Sequence, residues 1–203
     1  MEPHRIRLTA SIVRYRFGER TRKGVCSTFL ADSGPDATVP VFVQRAPHFR
    51  IPHLPSAPAV MIGPGTGIAP FLGFLAERRE RRHDGANWLF FGEQRQATDH
   101  YYRKELADLQ ADGVLHHLDL AFSRDQRAKV YVQDRMREHG ARLWAWLQDG
   151  AHVYVCGDMA RMAADVDAAL HDIVETHGGL DAPAAAEYVQ QLAATGRYAR
   201  DVY

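Results

Sequence analysis

The chain has 203 residues, of which 25 are Lys or Arg and 25 are Asp or Glu, so its formal net charge is zero. That balance offers no basic face for nucleic acid or an anionic membrane to select. The length allows one ordinary domain plus a fragment of another, and an apolar share of 46 % with 25 % charged residues is that of a soluble globular protein.

In chain order, the run from Arg5 to Tyr15 alternates around Ile6, Leu8, Ala10 and Ile12 and predicts a strand, as does Val39 to Gln44. Between them lie Gly24-Val25-Cys26-Ser27-Thr28-Phe29-Leu30 and a turn at Ser33 to Asp36. His48 to Pro58 carries three prolines and reads as a linker. Strands and helices then alternate. Ala59 to Ile62 predicts a strand, and Ile68, Phe71, Leu72 and Leu75 a helix. Trp88 to Phe91 is the next strand, Tyr101 to Gln110 the next helix, and Leu115 to Phe122 a third strand. Val132 to Gln148 gives one or two helices and His152 to Cys156 a fourth strand. Met162, Val166, Leu170 and Ile173 mark a long helix stopped at Gly178-Gly179. Asp181-Ala182-Pro183 opens another helix, and Arg197 to Tyr203 is the last strand. This order predicts an α/β fold with a doubly wound, five-stranded parallel sheet whose ligands sit at the carboxyl ends of the strands.

From Leu54 to Ala76 there is no charge, a length that spans a bilayer. Pro55, Pro58, Pro64 and Pro70 would break such a helix, so no membrane span is expected. Cys26 and Cys156 share no Cys-x-x-Cys spacing, and no signal peptide is read, so a reducing cytoplasm is expected. The histidines form no HExxH or Cys/His metal cluster, and no GxSxG elbow is present. The run Arg78 to Arg82 reads as the outer face of a helix.

Gly63-Pro64-Gly65-Thr66-Gly67-Ile68-Ala69-Pro70 lies between the first strand and first helix of the alternating region. Phosphate binding needs amides aimed at the anion, clearance for it, and a helix start behind. Glycines supply clearance, Thr66 adds a hydroxyl, and Pro70 suits a first helical turn. The same residues also suit a turn that packs helix on strand.

Four further segments, taken in order, resemble the ferredoxin–NADP reductase superfamily, and within it the diflavin reductases of the sulfite reductase flavoprotein type. They are Gly24-Val25-Cys26-Ser27; Ser123-Arg124 with Lys129-Val130-Tyr131-Val132-Gln133; Tyr154-Val155-Cys156-Gly157-Asp158 with Met159 to Asp165; and Gly196 to Tyr203. The resemblance runs from about Arg5 to Tyr203. It implies that Gly24, Val25, Cys26 and Ser27 contact the FAD pyrophosphate, although an N-cap by Ser27 also suits them. It implies that Gly65, Thr66 and Gly67 take the NADPH pyrophosphate. Ser123, Arg124, Lys129, Val130, Tyr131, Val132 and Gln133 would hold the 2′-phosphate and adenine. A guanidinium, an ammonium and hydroxyls suit a dianion, and they favour NADP over NAD. Asp165 would touch the nucleotide. Cys156 and Asp201 would sit beside the nicotinamide, and Tyr203 would stack on the flavin and move aside. By side-chain type alone, Cys156 is a small apolar filler, Asp158 a cap, and Arg124 with Lys129 a solvated loop.

The family's flavin domain is a β-barrel with an Arg-x-Tyr-Ser motif that is missing here, so residues 1–53 are expected to be a barrel remnant of about three strands, with the NADP-binding domain over 54–203. The FAD site is expected to be incomplete, with Met1 read as a shortened gene start, an imposed boundary or one product of a split gene, while FMN would belong to a domain not in this sequence. The implied activity passes hydride from NADPH to FAD and electrons to a haemoprotein, the sulfite reductase haemoprotein subunit. The alternative is a non-catalytic NADP(H)-binding or docking fragment.

Overall fold

The computed structural model describes residues 6–159 and 161–203. Arg5, where the first alternating run begins, and Ala160, within the segment Met159 to Asp165, lie outside the described residues. The chain divides into a small unit ending at Ala46 and a larger one over Pro47–Tyr203.

In the small unit, β1 (Arg14–Phe17) and β2 (Arg20–Lys23) form an antiparallel hairpin, with Arg14 opposite Lys23 and Phe17 opposite Arg20. Gly18 turns it at φ +60°, a value that glycine adopts without steric cost. Helix α1 (Val25–Asp32) follows, tied back by an Arg14–Asp32 ion pair. Among the described residues the expected barrel remnant of about three strands is not shown; this unit holds a two-stranded sheet. Of the predicted strand ending at Tyr15, only Arg14 and Tyr15 enter a ladder, and Val39 to Gln44 forms none. Alternation marks a face, but a strand exists only where a second strand satisfies its N–H and C=O groups. Val41, Phe42 and Val43 accordingly stand exposed.

The larger unit carries a parallel sheet of β3 (Ala59–Ile62), β4 (Asn87–Glu93), β5 (His117–Phe122), β6 (His152–Gly157) and β7 (Tyr198–Val202), in the spatial order β5-β4-β3-β6-β7. This matches the predicted five parallel strands. The helices are α2 (Ala69–Glu80), α3 (Gln96–Asp99), α4 (Arg103–Ala111), α5 (Val132–Glu138), α6 (Gly140–Gln148), α7 (Met162–Gly178) and α8 (Ala182–Ala194). The predicted segment Val132 to Gln148 is thus two helices, broken at His139. Gly179 ends α7 in the left-handed region at φ +65°, and the Asp181 carboxylate accepts the Ala184 N–H to cap α8.

Both faces of the sheet are covered, which explains why its strands are apolar runs rather than alternating ones. Val60, Ile62, Phe90, Val153 and Val155 belong to one core with Met136, Leu143, Val166, Leu170 and Val189 from α5 to α8. On the opposite face Tyr154 meets Phe49 and Phe74 edge-on. The chain lays down β3, β4 and β5 outward on one side, then crosses back to place β6 and β7 on the other. The loops after neighbouring β3 and β6 therefore diverge and leave a crevice at their carboxyl ends. Among the described residues no helix is long and apolar enough to cross a membrane.

Arg78 corrects the reading of its basic run as an outer face. Its residue is 1 % exposed, and its Nη2 donates to the carbonyls of Ala57 (2.9 Å), Gly85 (2.8 Å) and, more weakly, Pro55 (3.3 Å). These carbonyls come from the entry to β3 and the entry to β4, so one guanidinium ties both strand starts to α2. An added Cβ at Gly85 would stand 2.3 Å from the same nitrogen, so this corner has no room for a side chain. Arg78→Ala removes the buried stem and leaves carbonyls unpaired. We expect it to cost about 3 kcal/mol in urea unfolding, and a loss below about 0.5 kcal/mol would contradict this role.

Candidate binding cleft

The crevice between β3 and β6 exists because Gly67 lets two backbones meet. A Cβ built on Gly67 would lie 2.1 Å from the Cys156 carbonyl oxygen, so no side chain is tolerated there. Gly65 sits at φ +58°, and the segment Gly65–Ile68 forms a single 3₁₀ turn running into α2, with Pro70 in that helix's first turn. The Gly67 N–H donates to the Pro64 carbonyl at 3.0 Å, closing the loop on itself. The geometry is that of a strand–loop–helix anion cradle: short side chains outside, backbone within, and a helix start behind.

Beside the loop opens a cleft of about 440 Å³, lined by residues at the carboxyl ends of four strands. Pro64 and Gly65 come from the loop after β3, Gly92 and Glu93 from β4, and Ser123 from the loop after β5. Asp158 and Arg161 come from the loop after β6. Tyr131, Val132 and Gln133 from the start of α5 and Asp165 from the first turn of α7 complete it. Gly92 keeps α5 close, because a Cβ there would meet Val132 Cγ1 at 2.9 Å.

The three acids of the cleft are already partnered. The Glu93 carboxylate accepts the Gln94 N–H at 2.6 Å, that of Asp158 accepts the Arg161 N–H at 2.9 Å, and that of Asp165 accepts from Gln133 Nε2 at 3.2 Å. Asp158 thus holds the turn ahead of α7, whose N-cap residue is Arg161 with no side-chain cap bond, and the reading of Asp158 as the helix cap is corrected. Among the described residues the Arg161 side chain is the single cation lining the cleft. Arg161, Glu93 and Gln94 were not singled out from sequence; Glu93 and Gln94 are detectable only as the residues at the end of a parallel strand.

The predicted residues separate into groups. Gly65, Ser123, Tyr131, Val132, Gln133 and Asp165 line one cleft. Arg124, Lys129 and Val130 do not line it; Arg124 and Lys129 stand on the exposed segment between Ser123 and Tyr131. That segment is anchored by its backbone, with the Ser123 N–H donating to the Glu93 carbonyl at 2.9 Å and the Arg124 N–H to the Gln94 carbonyl at 2.8 Å. Thr66, Cys156, Asp201 and Tyr203 form a second group. Cys156 pairs with Asp201 in register, and the Tyr203 N–H donates to the Gly157 carbonyl at 3.1 Å. The Tyr203 and Thr66 hydroxyls are 2.5 Å apart.

Gly24, Val25, Cys26 and Ser27 lie in the small unit at the start of α1. Gly24 is the N-cap residue, and the Ser27 hydroxyl instead accepts the Val13 N–H at 3.2 Å. The reading of Ser27 as the cap is thereby corrected: it lies inside the helix, one turn too late to cap. Among the described residues no group of acids, histidines and cysteines is arranged to hold a metal ion.

A family model described as the oxidoreductase NAD-binding domain matches residues 61–168. The sulfite reductase (NADPH) flavoprotein alpha-component of Salmonella typhimurium LT2 is 48 % identical over 199 residues, which cover 98 % of this chain and 33 % of that protein. The proteins of the same name from Salmonella typhi and Escherichia coli K12 are 47 % and 48 % identical over the same shares. The chain thus spans about a third of the length of the curated relatives it matches.

Burial, and secondarily the nearby Asp201 carboxylate, push the Cys156 thiol up to about 12. A raised thiol stays protonated as pH rises, and at pH 8 only about one in 10⁴ would be thiolate. We therefore expect Ellman's reagent at pH 8 to titrate one thiol per folded chain, the exposed Cys26, and Cys26→Ser to abolish the signal. Rapid labelling that survives Cys26→Ser would contradict a buried, neutral Cys156.

Proposed function

The chain belongs to the oxidoreductase NAD-binding domain family, and on that premise we propose that it binds NADPH and delivers its hydride to FAD, with the electrons passing on to a haemoprotein partner. The relatives are named as the NADPH-dependent flavoprotein alpha-component of sulfite reductase, and we take that partner to be the haemoprotein of sulfite reductase and the setting to be the cytoplasm. The observation that carries the reading is the cleft itself, which gathers Gly65, Ser123, Tyr131, Gln133 and Asp165 from four separate segments at the strand ends.

In this reading the Gly65–Gly67 turn takes the pyrophosphate on backbone amides, with the Thr66 hydroxyl beside it. Adenine and its 2′-phosphate lie toward the loop after β5. Ser123 and Tyr131 offer hydroxyls there, and exposed Arg124 and Lys129 swing their charges onto the phosphate from the rim. Such charge-assisted bonds favour NADP over NAD because only the former carries the extra dianion. The partnered acids of the cleft keep their charge occupied by backbone N–H groups and by Gln133, so they repel the ligand less than free carboxylates would. Cys156 presents a neutral sulfur beside Asp201 at the end of β6, a pair suited to orienting a nicotinamide without a competing thiolate.

FAD, when bound, supplies the step from two-electron hydride acceptance to single-electron delivery. The chain's fit to it is at the phosphate end: α1 starts after Gly24 with no side-chain cap, which leaves its first-turn amides without a capping side chain and suited to an anion. FMN would belong to a part of the longer relatives that this sequence does not cover.

Calorimetry on the double variant Arg124→Ala, Lys129→Ala tests the assignment. We expect NADP⁺ affinity to fall tenfold or more, about 1.4 kcal/mol or above, with NAD⁺ affinity unchanged. Equal losses for both coenzymes, or no loss for either, would overturn it.

A further inference from the structure

Among the described residues the cleft is lined by three acids, Glu93, Asp158 and Asp165, against one cation, Arg161. With these groups alone the walls carry net negative charge, and a phosphate entering between them is repelled unless a cation moves onto it. The backbone of Arg161 is fixed on both sides. Its N–H donates to the Asp158 carboxylate at 2.9 Å, and its carbonyl accepts the Asp165 N–H at 3.1 Å. The guanidinium, by contrast, forms no hydrogen bond or ion pair among the described residues. The carboxylates that flank it in sequence are already occupied, Asp158 by the Arg161 N–H itself and Asp165 by Gln133 Nε2. A pinned backbone thus presents an uncommitted guanidinium to the cleft.

Sheet order decides which phosphate it can reach. Arg161 follows β6, which pairs directly with β3, the strand that leads into the Gly65–Gly67 turn. The loops after these two strands pack on each other. A Cβ on Gly157 would lie 3.5 Å from the Pro64 carbonyl oxygen and 2.9 Å from Cε of Met162, the residue after Arg161. Arg124 and Lys129 instead follow β5, three strand steps from β6 in the order β5-β4-β3-β6. At about 4.8 Å a step that is roughly 14 Å across the strand ends. Two sets of cations therefore stand on different sides of the cleft, one beyond β5 and the other beside the glycine turn.

Resting on the assignment of the cleft to NADP(H), we propose that Arg161 is the cation of the pyrophosphate: its guanidinium closes on that group from the β6 side while the turn's amides hold it from the other. A guanidinium offers a phosphate two parallel N–H donors, and moving it onto the ligand breaks no existing bond. The cations then divide the coenzyme between them. Arg124 and Lys129 read the 2′-phosphate, which NADP carries and NAD lacks, whereas Arg161 grips the part that both dinucleotides share. Arg161 sets the strength of binding, and the loop after β5 sets the choice of coenzyme.

Titration calorimetry on the full chain compares NADP⁺ with 2′-AMP, which has the adenine and the 2′-phosphate but no pyrophosphate. Wild type, Arg161→Gln and the double variant Arg124→Ala, Lys129→Ala are each titrated with both ligands. Arg161→Gln keeps a polar side chain and removes the charge. We expect it to bind NADP⁺ about tenfold more weakly with 2′-AMP unchanged, whereas the double variant weakens both ligands. An unchanged or tighter NADP⁺ affinity in Arg161→Gln overturns the proposal. Equal losses for NADP⁺ and 2′-AMP overturn it as well, because the residue would then act on the 2′-phosphate or on the field of the whole cleft. If wild type binds neither ligand, the assignment of the cleft fails and this proposal with it. If wild type binds both, the double variant weakens both and Arg161→Gln weakens neither, the assignment stands and Arg161 has no part in it. An uncommitted guanidinium has no contact to lose, so Arg161→Gln is expected to melt with wild type. A lowered melting temperature would contradict the free side chain on which the proposal rests.

Discussion

Everything at the strand ends depends on one backbone contact, the approach of Gly67 to the Cys156 carbonyl. Because a Cβ would stand 2.1 Å from that oxygen, the loop after β3 and the end of β6 can touch only while residue 67 is glycine. This contact keeps the 3₁₀ turn pressed against the sheet, so that α2 starts immediately above the topological switch point. It also puts Cys156 beneath the loop rather than beside open solvent, and burial is the larger cause of its raised thiol. The same contact therefore governs the shape of the crevice and the protonation of the Cys156 thiol beneath it.

Around that contact the molecule divides its work between backbone and side chain. Parallel strands fix where each loop begins, through register pairs such as Ile62 with Phe90 and with Val155. The loops then present short residues toward the crevice, while charge is kept at the rim or partnered. Arg78 does a related task at the other end of the sheet, where it holds the entries to β3 and β4 through carbonyls. A buried guanidinium is expensive to desolvate, and here burial lowers its pKa against the opposing pull of Tyr154 and the Asp84 carboxylate.

The parallel sheet was legible in the sequence because its strands are short apolar runs bounded by glycine and by helical spacing, and each such run paired as predicted. Gly179 and Asp181 were legible for the same reason, since the conformations they favour are local. The small unit was not. Its alternation from Ile6 to Tyr15 and the run Val39 to Gln44 carry strand composition, yet pairing depends on a partner strand, which composition does not encode. Arg78 was misread because a run of arginines looks solvated until carbonyls from two distant loops converge on one of them. The cleft was legible as segments: Gly65, Ser123, Tyr131, Gln133 and Asp165, all named from the sequence, line one cleft. Arg161 and Glu93 became visible only once the strand ends were aligned, because nothing in their immediate neighbours marks them.

The most direct measurement of the central claim is an amide-resolved NMR titration of the chain with NADP⁺. The account predicts that Gly65, Thr66 and Gly67 shift together with Ser123, Tyr131 and Gln133, along one saturating curve, while α8 on the core-covered face stays still. Saturating NADP⁺ that moves none of these amides, or moves the loop after β5 without the glycine turn, would contradict a single dinucleotide site across the strand ends.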